Sequence, residues 1–344
     1  MGARPAAALL AGVIVLALGL ELAGYDALAA LTALWNGAFG SWYAFTSATL
    51  VRAVPLIIIG LGIALSFKGG AFNIGAEGQF YAGAIAATTV GIHSAGLPGW
   101  AAIGALLVAA AFAGALWIAI PVLLKLRFGV LEVISTLLLN FVAEAVVSLM
   151  VQGPLQESQR IYPQSDQIAD AARLPLLPGT RLHAGIAIAI IAAAALTYLF
   201  TRTLWGFRLR AVGAGARAAA TSGRIDAGRM TAVALLLSGM LAGIAGGVEV
   251  SGVSYALYQN LSPGYGFTAI AVALLARLHP LGVVAAGVLF GALEAGAGAM
   301  QREAGVPAVA VYVVEAVVIV VVLLADEYRR RQVSEVGSVA ESAA

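Results

Sequence analysis

Apolar runs of about 20 residues recur along almost the whole chain, and a run of that length crosses the hydrocarbon of a bilayer as one helix. Ten such runs can be counted, at about 6–24, 47–67, 71–91, 100–120, 132–151, 184–201, 230–250, 265–278, 281–300 and 307–325. Charged residues make up 10% of the 344 residues, against about 25% in a soluble domain, and the mean hydropathy is +0.97. The expected fold is all-α: a polytopic membrane helix bundle, one transmembrane domain over residues 1–344. Two places interrupt the pattern. Runs two and three are separated only by Lys68-Gly69-Gly70, and the eighth run is short and ends at Arg277-Leu278-His279-Pro280. Both read as sites for broken or re-entrant helices.

Loop charge sets orientation, because Lys and Arg collect on the cytoplasmic side. The segment 202–229 carries Arg202, Arg208, Arg210, Arg217, Arg224 and Arg229 against Asp226 alone; Lys125 and Arg127 follow the fourth run; the tail 326–344 includes Arg329-Arg330-Arg331. With ten spans these segments share one side with Arg4, Lys68 and Arg277, so both termini are expected in the cytoplasm. The segment 152–183, with Pro154, Pro163, Pro175 and Pro178, is then an outer loop without much regular structure. Arg4 before the apolar stretch Ala6–Leu20, with small residues at Ala27–Ala30, has the look of a signal peptide; the length of the run favours an uncleaved first span.

Polar residues within apolar runs carry the functional signal. Phe72-Asn73-Ile74-Gly75-Ala76-Glu77-Gly78-Gln79 places an amide, a carboxylate and a second amide within seven residues, loosened by two glycines. A carboxylate at the centre of a membrane helix costs about 3 kcal/mol on insertion scales. Two placements fit: the lining of a solute pathway, or a helix start at the membrane surface with Asn73 as cap and Glu77 in water. Glu132, Thr136, Asn140 and Glu144 recur every four residues, on one slowly turning helix face. They form either a pathway-facing stripe or two surface acids with buried Thr136 and Asn140 bonding to neighbouring helices. Glu249 and Glu315 are further acids in apolar surroundings, with Arg52 a candidate partner for Glu315.

The glycine-punctuated, Ala-rich segment Trp205–Gly223 suits a short exposed helix. Its arginines and aromatic fit a docking surface for a soluble protein, or ordinary positive-inside charge. Gly239, Gly243 and Gly247, and likewise Gly287, Gly291 and Ala295, form small-residue ridges for close helix packing within the chain or at a subunit interface. Basic turns followed by glycine-rich helices bearing Glu77 and Glu294 hint at duplicated halves.

Several chemistries are excluded. There is no cysteine, hence no disulfide or thiolate site. His93, His183 and His279 are too scattered for a metal cluster. No Walker-type glycine-lysine loop is present, so energy from ATP must come through a partner. No Ser/His/Asp set falls at one depth, so a membrane-embedded enzyme is set aside.

These residues resemble the permease subunits of bacterial ABC importers in the ribose, galactose and nucleoside branch, closest to the nucleoside type. The family pattern Gly-x-Phe-Asn-Ile-Gly-Ala-Glu-Gly-Gln is met by Gly70 to Gln79. Also similar are Glu132–Thr136 with Asn140, Gly206–Gly213, and Tyr265–Leu275, within a resemblance running from about residue 50 to 325. The family carries an Asn near Gly215, where this chain has Gly215-Ala216-Arg217.

The resemblance implies a multi-pass subunit of the bacterial plasma membrane, surrounded by lipid, that carries nucleosides inward by alternating access. Candidate pathway residues are Phe72, Asn73, Glu77, Gln79, Glu132, Thr136, Asn140 and Phe267. Candidate coupling residues in the loop 202–229 are Phe207, Arg208, Arg210, Gly213, Arg217 and Gly223. Implied partners are a cytoplasmic ATPase that binds the ATP, a second related permease (heterodimer, with homodimer as the alternative) and an external substrate-binding lipoprotein. No cofactor in this chain, no metal and no nucleic acid are expected. The alternatives are a permease for a simple sugar, and an ion-coupled secondary transporter using Glu77 or Glu132 as coupling acid.

Overall fold

A computed structural model describes residue 14, residues 16–223 and 225–307, and residue 313. The tenth expected span (307–325) lies outside the described residues apart from 307 and 313. So do Arg4 and the start of the first span, Arg224, Glu315 and the tail 326–344 with Arg329-Arg330-Arg331.

In chain order the helices are α1 (Ala27–Phe39), α2 (Leu50–Lys68), α3 (Ala76–Ile92), α4 (Gly99–Phe128), α5 (Glu132–Val151), α6 (Gly185–Arg202), α7 (Leu204–Ala214), α8 (Ala216–Gly223), α9 (Ala227–Glu249), α10 (Tyr265–Leu275) and α11 (Pro280–Glu303). Among the described residues β structure is limited to two isolated bridges, Gln164 with Tyr258 and Leu176 with His183. Six helical stretches are long and apolar enough to cross a membrane: Trp42–Lys68, Gly99–Phe128, Glu132–Val151, Gly185–Arg202, Ala227–Ser254 and Pro280–Glu303.

The third and eighth expected spans differ from the rest. α3 has 17 residues and α10 has 11, or about 25 Å and about 16 Å of rise against about 30 Å of hydrocarbon. The cause is local. Gly70 turns the chain with φ +75°, residues 71–75 are non-helical, and helix resumes only at Ala76. α10 follows the non-helical stretch 255–264 and ends where Arg277 and Leu278 take φ of 51° and 57°.

The chain divides into two units, Leu50–Gly291, and Met1–Thr49 with Ala292–Ala344. In the smaller unit Asp26 caps α1 by accepting from the Ala29 N–H at 2.9 Å. Leu20, Ala27, Ala30 and Ala33 pack with Met300 and Val306. In the larger unit α9 packs against both α3 and α4 through the glycine ridge. A Cβ on Gly243 would collide with the Ala110 carbonyl, and one on Gly114 with the Gly239 carbonyl. The ridge therefore serves close approach within the chain, where packing replaces the hydrophobic effect.

The segment 152–183 has one short 3-10 turn, Asp170–Ala172, and is tied to the ends of α3 and α9 through its backbone. Leu174 N–H donates to Ser251 O at 2.8 Å, Ile168 N–H to Tyr255 O at 2.9 Å and Ala169 N–H to Gly91 O at 3.0 Å. His183 closes the segment and is fully buried. Its Nδ1 accepts from the Gly185 N–H at 3.2 Å, which leaves the ring proton on Nε2. Burial pushes this imidazole down to about 4.

Two outcomes follow. Gly243→Val should lower stability by about 1–3 kcal/mol through overpacking, read as thermal unfolding in detergent. Gly104→Ala, with open space around its Cβ position, should be neutral or slightly stabilising. The unfolded imidazole titrates near 6.5 and the folded one near 4, so the unfolded chain binds this proton first. His183 should cost no stability above pH about 6.5 and progressively more as pH falls toward 4. Unfolding temperatures across that window should fall less steeply for His183→Asn, whose side-chain oxygen can still accept from Gly185.

Candidate functional site

The interruption between α2 and α3 strips backbone groups of their helical partners. In hydrocarbon each such group must find another, and side chains of α5 supply most of them. The Phe72 N–H donates to Glu132 Oε1 at 3.4 Å, the Ile74 N–H to Thr136 Oγ1 at 3.3 Å and the Gly78 N–H to Asn140 Oδ1 at 2.8 Å. Asn140 Nδ2 returns a bond to the Ile74 carbonyl at 2.9 Å. The four-residue polar stripe of α5 thus reads along the broken segment from 72 to 78. Glu132 is also paired with Lys125 at 2.8 Å, at the end of α4.

Asn73 and Gln79 close the segment on itself. Asn73 Nδ2 donates to Gln79 Oε1 at 2.8 Å, and Gln79 Nε2 donates back to Asn73 Oδ1 at 2.9 Å. Asn73 Oδ1 also accepts from the Gly75 N–H at 3.0 Å, and Nδ2 reaches Ser238 Oγ of α9 at 2.9 Å. Asn73, Glu77, Gln79, Thr136 and Asn140 are each at most 2% exposed, and Glu132 is 7% exposed.

The starts of the two shortened helices α3 and α10 meet at Glu77. Its Oε2 accepts from the Gly266 N–H in the first turn of α10 at 2.6 Å, and it also bonds the Ser262 side chain. Ser262 Oγ accepts from Gly264 N–H at 3.1 Å and Tyr265 N–H at 2.9 Å. A Cβ on Gly266 would collide with the Glu77 backbone nitrogen, so the two helix starts touch. Each carries a partial positive charge that a carboxylate offsets.

Exposed aromatics flank this buried network: Phe72 is 50% exposed and Phe267 is 41% exposed. The Trp117 indole nitrogen is buried without a partner and lies against Gly78, whose Cβ would stand 2.9 Å from it. Glu249 is buried near the end of α9, with Arg52 acting on it electrostatically. Lys125, Ser238, Tyr81 and Ser262 also belong to the site, and nothing in their sequence surroundings singles out Ser238 or Tyr81. The turn Ser262-Pro263-Gly264 is the one visible signal, a loop breaker ahead of a helix.

The basic segment folds as α7 and α8, broken at Gly215. Arg208 and Arg217 are exposed, and Phe207 is 58% exposed. Gly213 packs on the Lys68 carbonyl, and a Cβ on Gly69 would meet Leu209 Cδ1 at 2.6 Å. Arg210 instead donates to the Phe200 carbonyl within the chain. Gly223 ends α8. A cavity of about 270 Å³ lies between these helices and the α2–α3 break, lined in part by Gly69, Gly70, Lys125, Val212, Ala216 and Leu235. Among the described residues no group of His, Asp and Glu is arranged to hold a metal ion.

Residues 45–323 match the family described as branched-chain amino acid transport system, permease component. The chain is similar to a glucose ABC transporter permease protein of Haloferax volcanii, 38% identical over 83% of this chain and 77% of that one. It is 37% identical to the guanosine ABC transporter permease protein NupP of Bacillus subtilis over 92% of each chain. A second guanosine permease of the same organism, NupQ, is 30% identical over 71% of this chain and 78% of its own.

The hydrogen-bond account makes a sharp expectation. Asn140→Leu strands the Gly78 N–H and the Ile74 carbonyl, at about 1–3 kcal/mol for each unsatisfied group, and should lower the unfolding temperature in detergent markedly. Glu77→Gln keeps an acceptor for Gly266 and should cost far less than Glu77→Ala. Equal losses for the two would show that the charge, rather than the hydrogen bond, holds α10 in place.

Proposed function

The chain belongs to the family of branched-chain amino acid transport system permease components, and from that membership we propose that it is the membrane-spanning subunit of an ABC importer carrying nucleosides inward, driven by a partner ATPase. The observation that carries the choice of solute is the likeness to a guanosine permease across 92% of each chain. A simple sugar is the second reading, favoured by the 38% identity to a glucose permease. Both solute classes are neutral and bear neighbouring hydroxyls. An ion-coupled carrier finds less support, because Glu77 is held by Gly266 and Glu132 by Lys125.

In this reading the chain is one transmembrane domain of ten spans with both termini cytoplasmic. The shortened α3 and α10 count as spans together with the non-helical stretches before them, and the arginines of 202–229 support the orientation. Two related guanosine permeases in one organism support pairing with a second, similar permease, with a homodimer as the alternative. The solute arrives from an external binding lipoprotein, and ATP is bound by the ATPase.

The ATPase docks on α7 and α8 through Phe207, Arg208 and Arg217. Its closure shifts α7, and Leu209 and Gly213 pass the movement to Gly69 and Lys68 at the start of the break. Phe72 and Phe267 face the pathway. Asn73, Glu77, Gln79, Glu132, Thr136 and Asn140 back its wall and hold its shape while the spans rock. Arg210 and Gly223 set the bounds and seating of the coupling helices.

The test is ATP-dependent uptake by the reconstituted complex, with labelled guanosine and glucose compared. Saturable nucleoside uptake is expected; sugar uptake alone would select the second reading, and uptake without the ATPase would sink the importer. Phe207→Ala with Arg208→Ala should cut ATPase co-purification and uptake about tenfold or more with an unchanged unfolding temperature, since both side chains are exposed. Undiminished pulldown would remove the docking site from this surface.

A further inference from the structure

The sequence stripe on α5 does not end at Asn140. Glu144 is the next position four residues on, and unlike Glu132, Thr136 and Asn140 it is exposed. At 100° per residue it stands about 40° round the helix from Asn140, at the edge of the buried face. It lies seven residues before the end of the helix at Val151, or about 10 Å along the axis. That depth is beyond the reach of a short carboxylate side chain to the helix end. Phe141, one turn back on the open side, is 60% exposed and apolar, as is Leu138 further round the helix at 58%. An exposed carboxylate at such depth is costly against lipid and is found facing a wet cavity or a polar partner.

Its surroundings favour the wet cavity. Asn140, one turn before Glu144, bonds the Gly78 N–H and the Ile74 carbonyl, so Glu144 lies one turn of α5 beyond the broken segment, and it acts electrostatically on Glu77 and Tyr81. One turn further out, Ser148 Oγ accepts from Gln259 Nε2 at 2.7 Å, and Gln259 is exposed on the non-helical stretch before α10. Glu144, Ser148 and Gln259 therefore form a continuous polar edge beside a network that is otherwise closed to solvent.

We propose that Glu144 is a specificity-determining residue of the solute pathway, its carboxylate accepting two hydrogen bonds from adjacent hydroxyls of a neutral solute. A carboxylate has acceptor sites on both oxygens and no donor, which matches a vicinal diol and rejects an anion. The inference rests on the importer reading above, and deepens it by naming the group that reads the solute.

The absence of cysteine from the chain allows a direct test in the assembled importer. Glu144→Cys should react with a charged, membrane-impermeant thiosulfonate, read as added mass on this chain, and transported solute should slow the reaction. Leu138→Cys should stay unlabelled. Glu144→Gln should raise the uptake KM for a ribonucleoside about tenfold, with Glu144→Asp closer to wild type, while an analogue lacking one hydroxyl should lose little further in the Gln variant. A Glu144→Cys as inert as Leu138→Cys, or a KM within about twofold in Glu144→Gln, would overturn the proposal. Absence of ATP-dependent uptake by the wild-type complex would instead overturn the importer reading, and this inference with it.

Discussion

A membrane helix that stops halfway leaves backbone donors and acceptors with no water to satisfy them, and the larger unit is built around meeting that demand. The answer is geometric. Phe72 and Ile74, two residues apart on the non-helical stretch 71–75, both turn their N–H groups to α5. Four residues of helix advance about 6 Å. Glu132 and Thr136, one turn apart on α5, therefore come into register with alternate residues of the break. Asn140 continues the match at Gly78, where the chain is already helical, and uses both ends of its amide to do so. Spacing by four on α5 thus meets residues 72, 74 and 78 of the facing segment.

The same break is the point at which the basic helices α7 and α8 bear on the larger unit. α7 contributes Leu209 and Gly213 to the turn at Lys68 to Gly70, and no intervening layer separates the basic helices from the segment that α5 holds. The Lys125–Glu132 pair ties the ends of α4 and α5 beside the same turn. A cavity lined in part by Gly69, Gly70 and Val212 lies at the same place. α7 thus bears on an element fixed by directional bonds rather than by loose packing alone, as the proposed coupling requires.

Much of this was legible in the sequence, and the limits have physical causes. Periodicity exposes what lies along one element, so the Asn73–Gln79 stretch, the α5 stripe and the arginines of 202–229 could all be read. Pairing across distant elements leaves no trace in a single chain. Ser238 lies 165 residues from Asn73, and Gly266 lies 189 from Glu77. Counting apolar residues likewise gave run three full length, because hydropathy does not register the left-handed turn at Gly70, whereas run eight already read as short and its helix starts where the run starts, at Tyr265. Arginine count could not show that Arg210 turns inward to the Phe200 carbonyl while Arg208 stays out. The polar stripe was readable as a stripe, but whether each member served the solute or the backbone depended on burial, which divides Asn140 from Glu144 four residues away.

Charge balance then constrains what can pass. Two helix starts meeting within a membrane make a positive site that would draw an anion. Here Glu77 already occupies it, bonded to the Gly266 N–H and walled in at 2% exposure. On the proposed pathway, a solute moving along the exposed edge meets the carboxylate of Glu144 and the amide of Gln259 instead of free helix N–H groups. An anion there gains nothing from the helix ends, because Glu77 has taken them, whereas a neutral, hydroxyl-rich solute finds acceptors along the edge, so on this reading the occupied helix starts act as a filter on substrate charge.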